Sequence, residues 1–309
     1  TMAKSQPSRQ DVYHIITNLI IEKLEQGVIP WKKSWSAQGP AANYVTKKPY
    51  RGINALLLNS LGGTPLGLAQ PYFLTFRQAK QLGGHIQKGA KSLPVVYWQW
   101  YFHHSETGRK LTEEEAKALP NREVERKAFL RYYRVFHIQD TEGIDLTLPD
   151  TQPTELPEDL LMRGFEPLHS MPHPVAVKTI RQQPYYHPRH DYINMPAMNA
   201  FSNSEAYFQV LYHELTHATG HPKRLNRPGV SDPQPFGSWI YSKEELIAEM
   251  GASFLSNLMN ISSEAALDDA AAYIQGWLKV LRNDKRFIIE AAQKAQRAVD
   301  YIMGDPGGG

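Results

Sequence analysis

The hydrophobic positions of the first 140 residues predict a small α+β unit. Residues 8–26 carry an apolar stripe at helical spacing, with Ser8 as a cap and Gly27 as a stop. The stretch "TFRQAKQLGG" predicts a short helix that opens with a capping box of Thr75 and Gln78 and ends at a glycine pair. The stretches "LPVVYWQWYF" and "AFLRYYRVFHI" predict two strands, with an exposed helix capped by Thr112 between them.

The pattern changes after residue 140. Residues 141–167 are acidic and rich in proline without sustained periodicity, which predicts a linker. From residue 168 to residue 303 helical spacing dominates, with "DYINMP" as a short strand, and residues 304–309 form a tail. The sequence therefore predicts an α+β protein of two domains: a small α+β domain at residues 1–140, and a mainly helical domain with a small sheet at residues 168–303.

Charge divides the chain at the same place. Residues 1–140 hold 20 Lys and Arg against 10 Asp and Glu, whereas residues 141–309 hold 14 against 21, although the net charge is only +3. This asymmetry predicts that the first half binds a polyanion. Because the sequence has no run of eighteen apolar residues and no signal segment, we expect a cytoplasmic protein that does not enter a membrane.

The stretch "FQVLYHELTHATGHPKRLN" carries the motif His213-Glu214-x-x-His217. On a helix that starts at the capping pair Ser202 and Glu205, the two histidines lie one turn apart on one face, so both imidazoles can reach one metal ion. Glu214 beside them can take a proton from a water whose pKa the metal lowers. The alternative is a surface helix with two solvated histidines.

A catalytic zinc needs a third protein ligand, and a chain without cysteine must supply it from His, Asp or Glu. The extended motif HExxHxxGxxH fails, because Lys223 stands at its last position. In zincins with a glutamate ligand from a downstream helix, Asp or Asn often follows that glutamate four residues later. That spacing favours Glu245 as the ligand and Glu249 as the residue that orients a histidine. A structural use of Glu245, in a capping box with Ser242, remains open, as does Glu249 as the ligand.

The same motif predicts the rest of a hydrolytic site. Glu214 would activate water for attack on a peptide carbonyl that lies along an edge strand such as "DYINMP". Zn²⁺ suits the two histidines best, although Mn²⁺ or Co²⁺ could occupy the same ligands in vitro. The residues that could stabilise the oxyanion are Tyr185, Tyr186, His187, His221 and Tyr241.

The basic half interleaves aromatic residues with cations. Bases of single-stranded nucleic acid stack on aromatic rings while lysine and arginine neutralise phosphates, so this composition favours a single-stranded nucleic-acid partner over a merely basic surface. Tyr97, Trp98 and Trp100 lie in a predicted strand and are expected to be buried on at least one face. The candidate DNA-binding residues are Trp31, Lys32, Lys33, Trp35, Tyr44, Lys47, Lys48, Tyr50, Arg51, Asn54, Arg77, Gln78, Lys88 and Lys91.

Both halves, in this order, resemble the ArdC-type antirestriction proteins of conjugative plasmids, and the first half is also similar to the amino-terminal domain of TraC-type plasmid primases. The resemblance rests on "IPWKKSW", "KPYRGINALLL", "PYFLTFRQAKQLGGHIQKGAKS", "YHELTHATGHPKRLNR" and "EELIAEMGASFL". It implies a single-stranded DNA-binding domain followed by a zincin-like metallopeptidase domain, and a role in protecting incoming plasmid DNA from host restriction.

Two other functions remain open at the level of sequence. The first is a DNA-binding shield whose metal domain is structural or inactive, so that the basic half alone protects the incoming strand. The second is a zinc hydrolase that acts on the bound DNA, which the motif favours less because HExxH on a helix is mostly a peptidase arrangement. The protein or peptide that a peptidase would cleave is not specified by the sequence.

Overall fold

The structure is a computed structural model that describes residues 11–32, 40–61, 72–146, 157–232, 238–261 and 270–305. Its helices are α1 (Val12–Glu25), α2 (Gly52–Leu61), α3 (Phe76–Gln81), α4 (Glu113–Ala118), α5 (Pro157–Ser170), α6 (Ser204–Thr219), α7 (Pro228–Ser231), α8 (Trp239–Leu258), α9 (Ala270–Asn283) and α10 (Phe287–Ile302). Its strands are β1 (Ala42–Asn43), β2 (Tyr72–Leu74), β3 (His85–Ile86), β4 (Leu93–His104), β5 (Lys110–Leu111), β6 (Val124–His137), β7 (Thr141–Glu142), β8 (Ala176–Lys178), β9 (Tyr185–His187) and β10 (Tyr192–Asn194). None of the helices in this part of the chain is long and apolar enough to cross a membrane.

The first half is built on a sheet of order β1-β2-β6-β4-β5. Strands β4 and β6 form a long antiparallel ribbon whose register runs from Leu93 opposite Val135 to His104 opposite Val124. Both predicted helix caps are present: Thr75 opens α3 in a capping box with Gln78, and Thr112 opens α4. The α+β prediction for this half is confirmed.

The second half is mainly helical, with the small sheet β8-β10-β9 beside α6. Helix α6 begins after Asn203, whose side chain accepts a hydrogen bond from the Ala206 amide, one residue later than the predicted cap at Ser202. Helix α8 is capped by Ser238, so Ser242 lies inside the helix. A capping role for Glu245 is thereby excluded, because it lies in the second turn of α8.

The predicted linker is partly wrong. Residues 157–167 belong to α5, which packs on α6 through a hydrogen bond from the Tyr212 hydroxyl to the Gly164 carbonyl and a ring contact between Phe165 and Phe208. Pro167 lies within this helix, so the proline content that suggested a linker did not prevent helix formation. Residues 147–156 of the predicted linker lie outside the described part.

The hydrophobic core crosses the predicted domain boundary. Trp31 of the first half is fully buried against Trp277 of α9, with ring centroids 4.9 Å apart. Arg51 forms an ion pair with Asp300 of α10, and the Gly52 amide donates to the Gln296 side chain at 2.9 Å. The two halves therefore share one core, and the limits of the two domains stay a prediction.

Helices α6 and α8 approach each other closely at Gly251. A Cβ atom at this position would lie 2.5 Å from both Cγ2 and Oγ1 of Thr216, closer than side chains tolerate. Glycine at this position lets the two helix backbones pack directly. The approach matters for function, because α6 carries the HExxH motif and α8 carries the candidate glutamates.

We predict that Gly251→Ala lowers the free energy of unfolding by about 1–3 kcal/mol, because the added methyl group must displace Thr216 in a well-packed core. Adding Thr216→Ala should restore part of the loss. Gly276→Ala in α9 is the matched control: a Cβ there meets nothing within 4 Å among the described residues, so helix propensity should raise stability by up to about 1 kcal/mol. Urea denaturation of the three variants measures these changes. Equal effects of Gly251→Ala and Gly276→Ala would contradict the steric argument.

Candidate metal centre

Helices α6 and α8 bring two histidines and a glutamate together. The Nε2 atoms of His213 and His217 are 3.1 Å apart. Glu245 places one carboxylate oxygen 3.5 Å from Nε2 of His213 and the other 3.4 Å from Nε2 of His217. One ligand atom from each of the three residues lies within 4.8 Å of the others. This is the arrangement that a single cation requires.

The other nitrogen of each imidazole faces a second carboxylate. Glu249 lies 3.6 Å from Nδ1 of His213, and Glu244 lies 3.4 Å from Nδ1 of His217. A carboxylate at Nδ1 accepts the ring proton, fixes the tautomer and leaves the Nε2 lone pair for a metal. The geometry thus gives Glu245 and Glu249 different positions, with Glu245 facing the Nε2 atoms.

Arg227 holds Glu244 in place. Its guanidinium donates to both carboxylate oxygens of Glu244, at 2.6 to 3.2 Å, and also to the Thr219 hydroxyl and the Thr216 carbonyl of α6. Both members of this ion pair are buried. Sequence reasoning missed Glu244 and Arg227. The signal for Glu244 was present, because the motif has two histidines that each need an acceptor, and "KEELIAEM" offers three glutamates.

The pKa values at the site follow from burial and paired charge. Burial acts to raise the pKa of Glu245, but the positive charges of His217 and His213 outweigh it and hold the pKa below its ordinary value. Burial likewise opposes the charged form of Glu244, and Arg227 overcomes this to lower the pKa. Burial disfavours protonation of His217, yet Glu245 and Glu244 raise its pKa well above the ordinary value. The buried carboxylates therefore favour the protonated form of His217, and the imidazoles favour the ionised form of Glu245.

The three residues open into a cleft of about 420 Å³. Glu214 lines this cleft and is largely buried. Of the oxyanion candidates, Tyr185, Tyr186 and Tyr241 line the cleft, whereas His187 and His221 do not. His187 stacks on Tyr192, and His221 lies 3.9 Å from Asp191.

The edge strand of the small sheet at the cleft is not the strand that the sequence predicted. "DYINMP" supplies β10, which is the central strand between β8 and β9, so its backbone is paired on both sides. A peptide cannot add to a strand that already has two neighbours. The edge strand at the cleft is β9, whose Tyr185 and Tyr186 contribute to the cleft wall.

Several of the candidate DNA-binding residues serve the fold. Trp31 is 2% exposed and Tyr44 is 7% exposed, so the interpretation of these two rings as base-stacking surfaces is corrected. Asn54 exchanges two hydrogen bonds of 2.8 Å with the backbone of Val96 and so joins α2 to β4. Gln78 closes the capping box of α3 and also bonds Asn43. Tyr50 is half-buried, and burial raises its pKa to about 12.

Other candidates stand at the surface. The exposed cations are Lys47, Lys48, Arg51, Arg77, Lys88 and Lys91. Lys47 has a left-handed backbone, with φ 56°, and its ammonium lies 3.8 Å from the centre of the Tyr44 ring. Lys33 and Trp35 lie outside the described residues, as does the side chain of Lys32. The expected burial of Tyr97, Trp98 and Trp100 is wrong, because these rings are 45%, 38% and 55% exposed.

Comparison with known proteins matches both halves of the chain. Residues 10–136 match the family described as the N-terminal domain of anti-restriction factor ArdC. Residues 172–294 match the family described as zincin-like metallopeptidase.

Relatives along the whole chain include two proteins named DNA primase TraC from Escherichia coli. They are 30% and 32% identical over 96% and 93% of this chain, which spans only 20% and 26% of their lengths. The uncharacterized protein y4eC of Sinorhizobium fredii is 32% identical over 94% of this chain and 91% of its own length.

Two crystal structures of the antirestriction protein ArdC from plasmid R388 share the fold. The metal-free structure has a TM-score of 0.73 at 31% identity, and the Mn(II)-bound structure has a TM-score of 0.72 at 32% identity. The match covers 96% of this chain and 98% and 99% of the chains in those structures.

We predict that Arg227→Met lowers the free energy of unfolding of the metal-free protein by about 3–5 kcal/mol, because it leaves the Glu244 carboxylate buried without its cation. Arg282→Met is the matched control. It breaks the exposed pair with Glu25, which stabilises by about 1 kcal/mol at most. Chemical denaturation of both variants, with chelator present, measures the difference. Similar losses in the two variants would show that the buried pair does not anchor α7 and α8 to α6.

Proposed function

Because the chain belongs to the ArdC family of antirestriction proteins, we propose that it protects incoming plasmid DNA from host restriction during conjugation, with a first half that binds single-stranded DNA and a second half that is a zinc-dependent peptidase. The observation that carries the peptidase proposal is the convergence of His213, His217 and Glu245 in a cleft that also contains Glu214. The DNA proposal rests on the charge of the first half and on its exposed cations and rings.

The donor set fits a catalytic metal ion. Two imidazole nitrogens and one carboxylate oxygen are a donor set that hydrolytic zinc sites use, and these three residues would hold the ion. Mn²⁺ or Co²⁺ can occupy the same ligands, and the related ArdC of plasmid R388 has been crystallised with Mn(II). When bound, such an ion lowers the pKa of water and polarises a carbonyl.

The protein residues would then act as follows. His213, His217 and Glu245 hold the ion, while Glu249 and Glu244 orient the two imidazoles through Nδ1. Glu214 accepts the proton of the attacking water and passes it to the leaving amine. The oxyanion contact comes from the tyrosines that line the cleft, and the substrate peptide extends the small sheet along β9.

In the first half, the exposed lysines and arginines would neutralise phosphates. Lys47 and Lys48 lie in a turn whose backbone amides of Val45 and Thr46 bond the Asn43 side chain, so the turn presents both cations to solvent. Arg77, Lys88 and Lys91 add further exposed charge. Lys32, Lys33 and Trp35 remain candidates from the sequence.

We predict that Glu214→Gln abolishes peptide hydrolysis, with a loss of about 10²–10⁴-fold or more, but leaves metal binding intact, because Glu214 is not a proposed ligand. Metal content and cleavage of a fluorogenic peptide library report the two properties. Glu205→Gln, in the first turn of the same helix, is the matched control and should retain both. Peptide hydrolysis by the Glu214→Gln protein at the wild-type rate would contradict the mechanism.

The same variant separates the peptidase from a DNA shield with an inactive metal domain. If Glu214→Gln protects an unmodified plasmid in a restricting recipient as well as the wild type does, protection does not require the proposed hydrolysis. Loss of protection with retained DNA binding would assign protection to proteolysis. Incubation of a labelled single strand with the metal-loaded protein tests the third possibility, a nuclease.

We predict that charge reversal of Lys47 and Lys48 to Glu weakens single-stranded DNA binding and flattens its salt dependence. Each lost phosphate contact should reduce the slope of log K against log salt by about 0.7, or about 1.4 for both. Lys279→Glu with Lys294→Glu, at exposed positions of the second half, is the charge-matched control. Fluorescence anisotropy at several salt concentrations measures the slopes. The same slope change in both variants would indicate a general charge effect.

A further inference from the structure

One face of the β4–β6 ribbon concentrates aromatic side chains. In an antiparallel pair, residues directly opposite each other point to the same face. The register places Val95 opposite Tyr133, Tyr97 opposite Arg131, Gln99 opposite Phe129, and Tyr101 opposite Lys127. We call the surface formed by Tyr97, Gln99, Tyr101, Lys127, Phe129, Arg131 and Tyr133 the ribbon face.

The rings of the ribbon face are open to solvent. Phe129 is 49% exposed, Tyr97 45% and Tyr133 38%, while Tyr101 is partly exposed. Tyr97 contacts Tyr133 at 5.9 Å between centroids, and Tyr101 contacts Phe129 at 5.4 Å. A contiguous exposed aromatic surface of this kind marks a binding site more often than a solvated surface.

Cations surround these rings. Lys110 lies over the Tyr101 ring at 5.6 Å, and Arg131 donates to the Tyr101 hydroxyl at 3.3 Å. Arg131 Nε is shielded from solvent and has no acceptor among the described residues. Lys127 pairs with Glu125, the acidic residue two positions away on the same face. The rings are therefore set in a positively charged surface.

The ribbon face continues toward the lysine turn. The Tyr133 hydroxyl interacts electrostatically with the Tyr50 hydroxyl, and Tyr50 in turn accepts a hydrogen bond of 3.3 Å from the Asn43 side chain. Asn43 organises the turn that carries Lys47 and Lys48. A single extended ligand can thus meet exposed rings first and exposed lysines next.

We infer that the ribbon face is the base-stacking surface for single-stranded DNA, an inference that rests on the function proposed above. Exposed ring faces with neighbouring cations bind unpaired bases and their phosphates together. A duplex does not offer its base faces, so this surface selects single strands. Of the rings that the sequence assigned to this role, Trp31 and Tyr44 are buried, Tyr50 is half-buried and Trp35 lies outside the described residues. The ribbon face is an aromatic surface of the described first half that combines exposed rings with neighbouring cations.

The opposite face of the same ribbon provides a control. It exposes Trp98 and Trp100, whose cross-strand partners Leu130 and Ala128 carry no charge. Its far end packs against α4 through Phe102, Leu111 and Ala116. Two rings can therefore be removed from either face of one ribbon, with similar effects on the fold and different effects on the proposed ligand.

The test compares Tyr97→Ala/Phe129→Ala with Trp98→Ala/Trp100→Ala in the full chain. We expect the first variant to bind a fluorescein-labelled oligothymidylate about tenfold or more weakly, because each stacked base contributes about 1–3 kcal/mol. Its salt slope should stay unchanged, since no phosphate contact is removed. The second variant should bind within about twofold of the wild type. Loss of binding in the second variant alone, or in neither, would overturn the inference.

Photocrosslinking of the wild type provides a test that requires no variant. A bromodeoxyuridine-substituted single strand should crosslink to the peptides that contain Tyr97, Phe129 or Tyr133. Crosslinks confined to other peptides would overturn the inference even if both alanine variants unfold. Different outcomes would refute the proposed DNA-binding function and the inference about the ribbon face. A wild-type protein that binds no single strand refutes both. Binding that depends on Lys47 and Lys48 but not on the ribbon face refutes the inference alone.

Discussion

The direct contact of α6 and α8 at Gly251 is the constraint on which the candidate site depends. A side chain on α8 at this point would force the helices apart, because Thr216 already fills the space. The contact lets Glu245 reach the Nε2 atoms of both histidines while Glu244 and Glu249 reach their Nδ1 atoms. Three glutamates within two turns of α8 thus take distinct positions around two imidazoles one turn apart on α6.

Charge compensation completes this arrangement. A buried carboxylate destabilises a protein unless a cation or several hydrogen-bond donors accompany it. Glu244 receives its cation from Arg227, which also bonds the Thr216 carbonyl and the Thr219 hydroxyl near the end of α6. The Arg227 guanidinium therefore neutralises the Glu244 carboxylate and also hydrogen-bonds the C-terminal end of α6. Arg227 thus supports His217 indirectly, through Glu244, which lies 3.4 Å from its Nδ1 atom.

The sequence predicted what local rules determine. Helical spacing placed His213 and His217 on one face, and capping chemistry at Thr75 and Thr112 located two helices. The sequence did not predict contacts that form only in the folded chain, above all those of Arg227 with Glu244 and α6. Burial along β4 was also undetermined: both faces carry aromatic residues, so alternation could not tell which rings are exposed. Residues 157–167 were misread because acidic and proline-rich composition outweighed a helical pattern that tertiary packing stabilises.

The core that joins the two halves links their folding equilibria. Trp31 packs on Trp277 and Arg51 pairs with Asp300, so part of the apolar surface of each half is buried by the other. The TraC primases match nearly the whole chain rather than one half, as expected of a single inherited unit. An ion that binds only the folded form stabilises everything that unfolds with its site. An ion bound at the proposed ligands would therefore also stabilise the sheet of the first half, although these ligands all lie in the other half.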